Sequence, residues 1–141
     1  MRVRERDTLK GLQAALIDIA RKTPSAMRGV VRDGAKAGNV LAQDYARVSA
    51  GSHGKLYPRA FSSEVRALFV GATATVATAE YGPDIAKPQG GMSFERGSRN
   101  QKPHLDLARS ADRIGPSFQM ETGRMVDDLF RGFGGQFGRL F

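Results

Sequence analysis

The sequence of 141 residues contains no cysteine and no tryptophan, and it has only two histidines. Without cysteine the chain forms no disulfide and no thiolate metal site. His53 and His104 lie in different halves of the chain with no carboxylates at ligand-like spacing, so we expect no metal and no cofactor. No apolar run approaches the ~20 residues of a membrane span. The first ten residues are too charged for a secretory signal, so we expect synthesis in the cytoplasm and no membrane contact.

Motifs that carry catalysis are also missing. The stretch 49–56 has a Gly-Lys pair but lacks the first glycine and the hydroxyl residue of a phosphate-binding loop. The glycine-rich stretch 90–97 lacks the strand–helix context of a dinucleotide site. There is no Gly-x-Ser-x-Gly motif, and the adjacent Asp127 and Asp128 would point in different directions on a helix. We therefore expect a protein that is not an enzyme.

Positive charge is in excess and is unevenly distributed. The formal net charge is +8, and residues 1–60 carry 12 Lys and Arg against 5 Asp and Glu, whereas residues 61–141 carry 10 against 9. This asymmetry favours contact with a polyanion or an acidic partner, and the alternative is a solvated face that keeps the protein soluble. A candidate DNA-contacting ridge recurs at four-residue steps: Arg28, Arg32 and Lys36.

Two helices are predicted at the N-terminal end. Over residues 8–22 apolar side chains recur every three or four positions, as on one face of a helix. Thr23-Pro24 then ends that helix and starts a second, because threonine caps a helix and proline suits its first turn. The second helix is predicted over residues 24–48. Its glycines each weaken it, so a break near Gly34 or Gly38 is the alternative.

A β-hairpin is predicted next, with strands over residues 60–70 and 73–81 joined by a turn at Gly71. In the first strand the sequence alternates, so one face is predicted to carry Val65, Ala67 and Phe69. An isolated hairpin is marginal in water, so this one must pack on the long helix or pair with another copy.

Residues 82–103 contain three prolines and four glycines, which predicts a long loop. Loops of this length are usually functional or disordered. We interpret this one as an arm that becomes ordered against a neighbouring subunit, with a mobile loop as the alternative. Its candidate interface residues are Met92, Phe94, Arg96 and Arg99.

Helical spacing returns after His104, and Gly115-Pro116 is predicted to separate one short helix from a C-terminal helix that ends near residue 130. Residues 1–130 are therefore predicted to form a single α+β domain. Residues 131–141 form a tail rich in glycine and phenylalanine, which is expected to dock on a partner or fold back on its own subunit. Its candidate contacts are Phe133, Phe137 and Phe141.

The order of these features resembles the small neck and tail-completion proteins of long-tailed bacteriophages, over residues 30–130. A helical segment precedes Gly54-Lys55-Leu56 and a hairpin. The second strand runs into the aromatic–glycine element 79–83, which contains Tyr81. A Gly/Pro-rich loop, a Pro-led entry at residues 103–105 and a helix that ends near residue 130 complete the pattern.

The resemblance implies a non-enzymatic head–tail connector subunit located in the virion neck. Such subunits assemble as homo-oligomeric rings, here expected as a hexamer or dodecamer, between head-closure and tail-tube or tail-terminator proteins. The genome passes through the ring, and Tyr81 joins the interface candidates. The alternatives are a tail terminator that caps the tail tube and a basic DNA-binding accessory protein.

Overall fold

The computed structural model describes the backbone of residues 2–71 and 74–137, and the side chains of residues 9–71 and 74–131. In chain order the elements are helix α1 (Arg2–Ser49), a 3₁₀ turn (Pro58–Ala60), strands β1 (Phe61–Val70) and β2 (Thr75–Pro83), the short helix α2 (Ser93–Arg96) and helix α3 (Asp106–Phe137). The strands pair antiparallel. The predicted α+β class, with a long N-terminal helix, a hairpin and a C-terminal helix, is confirmed.

Helix α1 is continuous over 48 residues, which makes it about 72 Å long. The break predicted at Thr23-Pro24 is therefore wrong, as is the alternative break at Gly34 or Gly38. Proline has no N–H to donate to the carbonyl one turn earlier, but Thr23 Oγ1 donates to the Ile19 carbonyl at 2.7 Å in the same turn. Half-buried side chains continue on both sides of the proline, so packing maintains the helix where local propensity disfavours it.

The glycines of α1 admit aromatic rings from the other elements. A Cβ atom built at Gly34 would lie 2.7 Å from Phe118 Cδ2, and one built at Gly38 would lie 2.5 Å from Tyr81 Cζ. Real Cβ contacts are not this short, so both rings depend on the missing methyl group. Small residues therefore let α3 and β2 approach the α1 backbone closely.

Helix α3 is also continuous, so the stop predicted at Gly115-Pro116 is wrong. Half-buried Ile114 and Gly115 line a groove with α1 and β2, and this packing extends across the proline. The N-terminus of α3 lies beside the C-terminus of α1, where Ser49 contacts Asp106. The two long helices are therefore antiparallel.

The hairpin register contains a β-bulge between Val65 and Ala67. Beyond the bulge Leu68 is opposite Ala77, and Phe69 is opposite Val76. Because side chains alternate with a period of two, one extra residue moves every later side chain to the other face. The predicted shared face of Val65, Ala67 and Phe69 is therefore wrong.

The core lies where the C-terminus of α1, the 3₁₀ turn and the base of the hairpin meet. Four buried residues form it: Ala42, Ala46, Tyr57 and Phe61. Partly buried side chains from the loop and from the start of α3, including Phe94 and Leu107, pack against this cluster. The remaining length of both helices and the far end of the hairpin extend away from this core.

Candidate interaction surfaces

The far end of the hairpin exposes apolar side chains, which we call the hairpin tip: Leu68, Phe69, Val70 and Val76. Phe69 is 62% exposed and its cross-strand partner Val76 is 48% exposed. The inner face of β2 packs on the helices through Ala77, Ala79 and Tyr81. The bulge therefore turns Phe69 away from the helices and toward solvent. Within residues 2–71 and 74–137 each strand pairs only with the other, so both sheet edges remain open.

The base of the same outer face is acidic. Glu64 and Glu80 are directly opposite each other, an arrangement that is unfavourable for like charges. The bulged Arg66 contacts both, with its Nε 2.8 Å from Glu80 Oε2 and its Nη1 2.8 Å from Glu64 Oε1. The hydrogen bond to Glu80, together with the charge of Glu64, raises the pKa of the Arg66 guanidinium above its ordinary value.

These three residues and Asp84 line a cleft of about 300 Å³, which we call the acidic cleft. It contains three carboxylates and one guanidinium, a net charge of −2. The outer hairpin face is therefore apolar at its tip, through Phe69 and Val76, and acidic at its base, whereas Leu68 and Val70 lie opposite Ala77 and Thr75 on the inner face.

The outer side of α1 is basic, and the predicted ridge of Arg28, Arg32 and Lys36 is exposed. At about 100° per residue, an uninterrupted helix also brings Lys10 and Arg21 to within about 20° of Arg28, whereas Arg32 is about 40° and Lys36 about 80° away. We call Lys10, Arg21 and Arg28 the basic stripe. It exists because α1 continues through Pro24.

Some α1 cations have acidic neighbours on the same helix. Arg32 Nε lies 3.0 Å from Asp33 Oδ1, and Lys22 Nζ lies 2.7 Å from Asp18 Oδ2. Exposed pairs of this kind contribute roughly 0–1 kcal/mol and are screened by salt. They reduce the positive potential around the stripe only in part.

An exposed apolar patch adjoins the basic stripe, and we call it the α1 patch. Leu9 is 64% exposed, and Leu16 and Ile17 are each about half exposed. The patch also includes Leu12 and Ala20. Ile17 is about 20° from Arg28 around the helix axis. Leu9, Leu12 and Leu16 lie about 100–160° from Arg28, so the α1 patch and the basic stripe meet only at Ile17.

Polar side chains join the C-terminus of α1 to the N-terminus of α3. Ser49 Oγ donates to Asp106 Oδ2 at 2.6 Å and lies 3.1 Å from His104 Nδ1. Arg109 Nη2 donates to the other carboxylate oxygen at 2.8 Å, and Gln101 Nε2 is 2.9 Å from His104 Nε2. In a nucleophilic triad the imidazole lies between the hydroxyl and the carboxylate. Here the hydroxyl of Ser49 donates directly to the carboxylate of Asp106, so the cluster does not have the arrangement of a triad. The cluster satisfies the fully buried Asp106 and holds the two helix ends together.

The loop 82–103 is held by its own subunit at several points. The ring of Phe94 stacks on Tyr57 with a centroid distance of 4.5 Å. The buried Glu95 accepts hydrogen bonds from the N–H groups of Leu107 at 2.8 Å and Ala108 at 3.0 Å, which caps the first turn of α3. Gln89 Nε2 donates to the His53 carbonyl. Phe94 therefore packs within its own chain and is not free to contact a neighbouring subunit.

The other predicted interface residues are dispersed. Tyr81 is half-buried under the hairpin, with its hydroxyl 3.0 Å from Ser110 Oγ. Met92 is half-buried, whereas Arg96 and Arg99 are exposed on the loop. Helical backbone continues to Phe137. The side chains of Phe133 and Phe137, and all of Phe141, lie outside the described residues.

The core tyrosine has an unusual environment. Tyr57 is fully buried between Phe94 and Phe61, and among the described residues none hydrogen-bonds its hydroxyl. Burial raises the pKa of Tyr57 well above its ordinary value of 10.0, and the charges of Glu95 and Asp106 add to the effect. Ionisation of this phenol would therefore disfavour the folded state.

Sequence reasoning missed the hairpin tip and the acidic cleft. Apolar residues on both sides of the turn were visible in the sequence, but the placement of Phe69 beside Val76 on the outer face depends on the bulge. Comparison with known protein families, with curated proteins and with solved structures found no match to this chain. Among the described residues no group of three or more acidic or histidine side chains has an arrangement that could hold a metal ion. None of the described helices is long and apolar enough to cross a membrane.

Proposed function

We propose that this chain is a structural virion protein of a phage neck, a head–tail connector or tail-completion subunit. Identical copies assemble as a ring that joins head and tail around the DNA channel. The order of sequence elements described above motivates the assignment to the neck. The observation that carries it is the exposure of the hairpin tip.

The tip favours an assembling protein on physical grounds. Four apolar side chains at the end of a hairpin with open edges are costly to leave in water. In a ring each subunit covers its neighbour through the same heterologous contact, and closure leaves no copy uncovered. The exposed Arg28, Arg32 and Lys36 suit a channel through which DNA passes.

Assembly can be tested with the purified full chain. We expect sedimentation velocity to show concentration-dependent oligomers and electron microscopy to show rings. Phe69→Ser should weaken assembly by at least ~10-fold, since each buried aromatic side chain contributes on the order of 1.5–3 kcal/mol. Val48→Ser is the matched control, because Val48 is an exposed apolar residue outside the hairpin. A chain that stays monomeric at every concentration would contradict the proposal.

The neck assignment needs a test in the phage itself. Loss of the gene should leave DNA-filled heads and separate tails in the lysate. The wild-type chain and Val48→Ser should restore joined particles, and Phe69→Ser should not. Joined, infectious particles without the protein would refute the assignment.

A basic DNA-binding accessory protein is the second candidate function, and the cationic outer side of α1 favours it. Phosphate binding releases counterions, so affinity should fall steeply as salt rises. We expect such a protein to bind duplex DNA at about 50 mM salt with an affinity that falls steeply by about 200 mM, and Arg28→Gln to reduce that dependence. No binding at the lower salt concentration would exclude this candidate.

A further inference from the structure

We infer that one continuous face of α1 binds the phosphate backbone of double-stranded DNA without reading the base sequence. The face joins the basic stripe to the ridge predicted from the sequence. We call it the cationic face, and its charged members are Lys10, Arg21, Arg28, Arg32 and Lys36. This inference rests on the proposed function for the presence of DNA, and it specifies the surface that contacts the DNA.

The cationic face is a single strip of surface. At about 100° per residue, its five cations lie within a sector of about 80° around the axis of α1. Between the first and the last of them, the same sector contains only Ala14, Asp18 and Ser25 besides the cations. Every residue of the sector over this length is exposed. The side chains between the cations are short, so a rigid polyanion can lie along the face without meeting a bulky group.

The charge of this face is not neutralised within the subunit. On α3, Arg109, Arg124 and Arg131 each pair with a carboxylate three residues earlier, and Asp18 on α1 pairs with Lys22. Four cations of the cationic face, in contrast, form no ion pair with any residue that the structure describes: Lys10, Arg21, Arg28 and Lys36. The positive excess of the chain is therefore left available mainly along one side of α1.

The length of the face suits a duplex. From Lys10 to Lys36 the helix rises about 39 Å, slightly more than one turn of B-DNA at roughly 34–36 Å. A duplex carries roughly 20 phosphate charges over that length. Phosphates are present whatever the base sequence, so each cation of the face can contact one without sequence readout.

An anionic membrane is the other large polyanion that such a helix could meet. A helix that lies in a membrane interface inserts large apolar side chains among the headgroups. The cationic face contains no apolar side chain larger than that of Ala14. A straight row of cations on a rigid helix fits a rod-shaped polyanion better, and this favours the duplex.

The salt dependence of binding tests the inference. Fluorescence anisotropy of the full chain with two unrelated duplexes of about 20 base pairs should give equal affinities. Four phosphate contacts correspond to a slope of about −3.6 in log affinity against log salt for each bound subunit. Affinity should therefore fall about 150-fold between about 50 mM and 200 mM salt.

Single substitutions within and outside the face locate the contact. Arg21→Gln removes one contact, so the fall should shrink to about 40-fold, and Ser25→Lys adds one, so the fall should grow to about 500-fold. Arg124→Gln and Gln119→Lys make the same charge changes on exposed positions of α3 and are the matched controls. Both controls should keep the wild-type value, and circular dichroism checks that all four variants fold.

Several results would overturn the inference. Equal effects of Arg21→Gln and Arg124→Gln would show that affinity follows net charge alone. Absence of binding at the lower salt concentration, or a strong preference for one duplex, would also refute it. Tighter binding to vesicles that contain phosphatidylserine than to duplex would assign the face to a membrane.

Sedimentation velocity of the same samples without DNA separates this inference from the ring proposal. A chain that assembles into rings but fails these binding tests refutes the cationic face as a DNA contact and leaves the ring proposal standing. A chain that stays monomeric but binds duplex with the expected salt dependence supports the cationic face and refutes the ring.

Discussion

The buried hydroxyl of Tyr57 leads to a prediction with two independent readouts. Tyr57→Phe removes one oxygen and keeps the ring between Phe94 and Phe61. A buried polar group without a partner costs roughly 1–3 kcal/mol, and among the described residues this hydroxyl has no partner. We therefore expect the substitution to raise the free energy of unfolding by about 1 kcal/mol at pH 7.

The second readout is the dependence of stability on pH. Burial raises the pKa of Tyr57 above its ordinary 10.0, so above pH 10 the unfolded chain has lost a proton that the folded chain retains. Below pH 10 the ionisation of this group does not affect the free energy of unfolding. Above pH 10 the free energy of unfolding of the wild type falls by about 1.4 kcal/mol per pH unit. Tyr57→Phe abolishes that loss, so its advantage over wild type should grow between pH 10 and pH 11.

Urea unfolding followed by circular dichroism at pH 7, 9, 10 and 11 measures both effects, because other titrating groups cancel in the difference. Tyr81→Phe is the contrasting control. Its hydroxyl bonds Ser110 Oγ at 3.0 Å, so that variant should lose about 0.5–1.5 kcal/mol. A Tyr57→Phe chain that is less stable than wild type at pH 7, or a difference in stability that does not change above pH 10, would refute this account of the hydroxyl.

Further predictions concern the packing of α1 and the cap of α3. Gly38→Ala should lower the free energy of unfolding by about 1–3 kcal/mol, since its Cβ would lie 2.5 Å from Tyr81 Cζ. A Cβ atom built at Gly29 has no neighbour within 4 Å, so Gly29→Ala should raise the free energy of unfolding by up to about 1 kcal/mol. Equal effects at Gly29 and Gly38 would show that the Tyr81 ring does not depend on the missing methyl group. Glu95→Gln should lower the free energy of unfolding by about 1–2 kcal/mol, because the capped N–H groups of Leu107 and Ala108 lose a charged acceptor. Urea unfolding measures all three, and for Glu95 the exposed control Glu121→Gln should change stability by less than about 0.5 kcal/mol.

The predicted elements agree closely with the structure where local signals were strong. The hairpin expected over residues 60–70 and 73–81 is present as Phe61–Val70 and Thr75–Pro83. Alternating and β-branched residues next to a glycine turn specify such a unit locally. The loop after it was also predictable from its prolines and glycines, although its attachment through Phe94 and Glu95 was not.

The two wrong helix breaks have one cause. Pro24 and Gly115-Pro116 are breakers by local propensity, which is worth about 3 kcal/mol for proline inside a helix. Packing between two long antiparallel helices extends across many residues and outweighs that local cost. Sequence periodicity cannot weigh a partner helix that is distant along the chain.

The candidate surfaces also have some features that the sequence predicts and others that depend on the tertiary structure. The positive excess of the first 60 residues and the ridge of Arg28, Arg32 and Lys36 follow from the amino-acid order alone, since composition and helical spacing are local properties. The alignment of Lys10 and Arg21 with that ridge required the unbroken α1, and the exposure of Phe69 required the bulge at Arg66. Both depend on contacts between distant segments, which only the folded chain brings together.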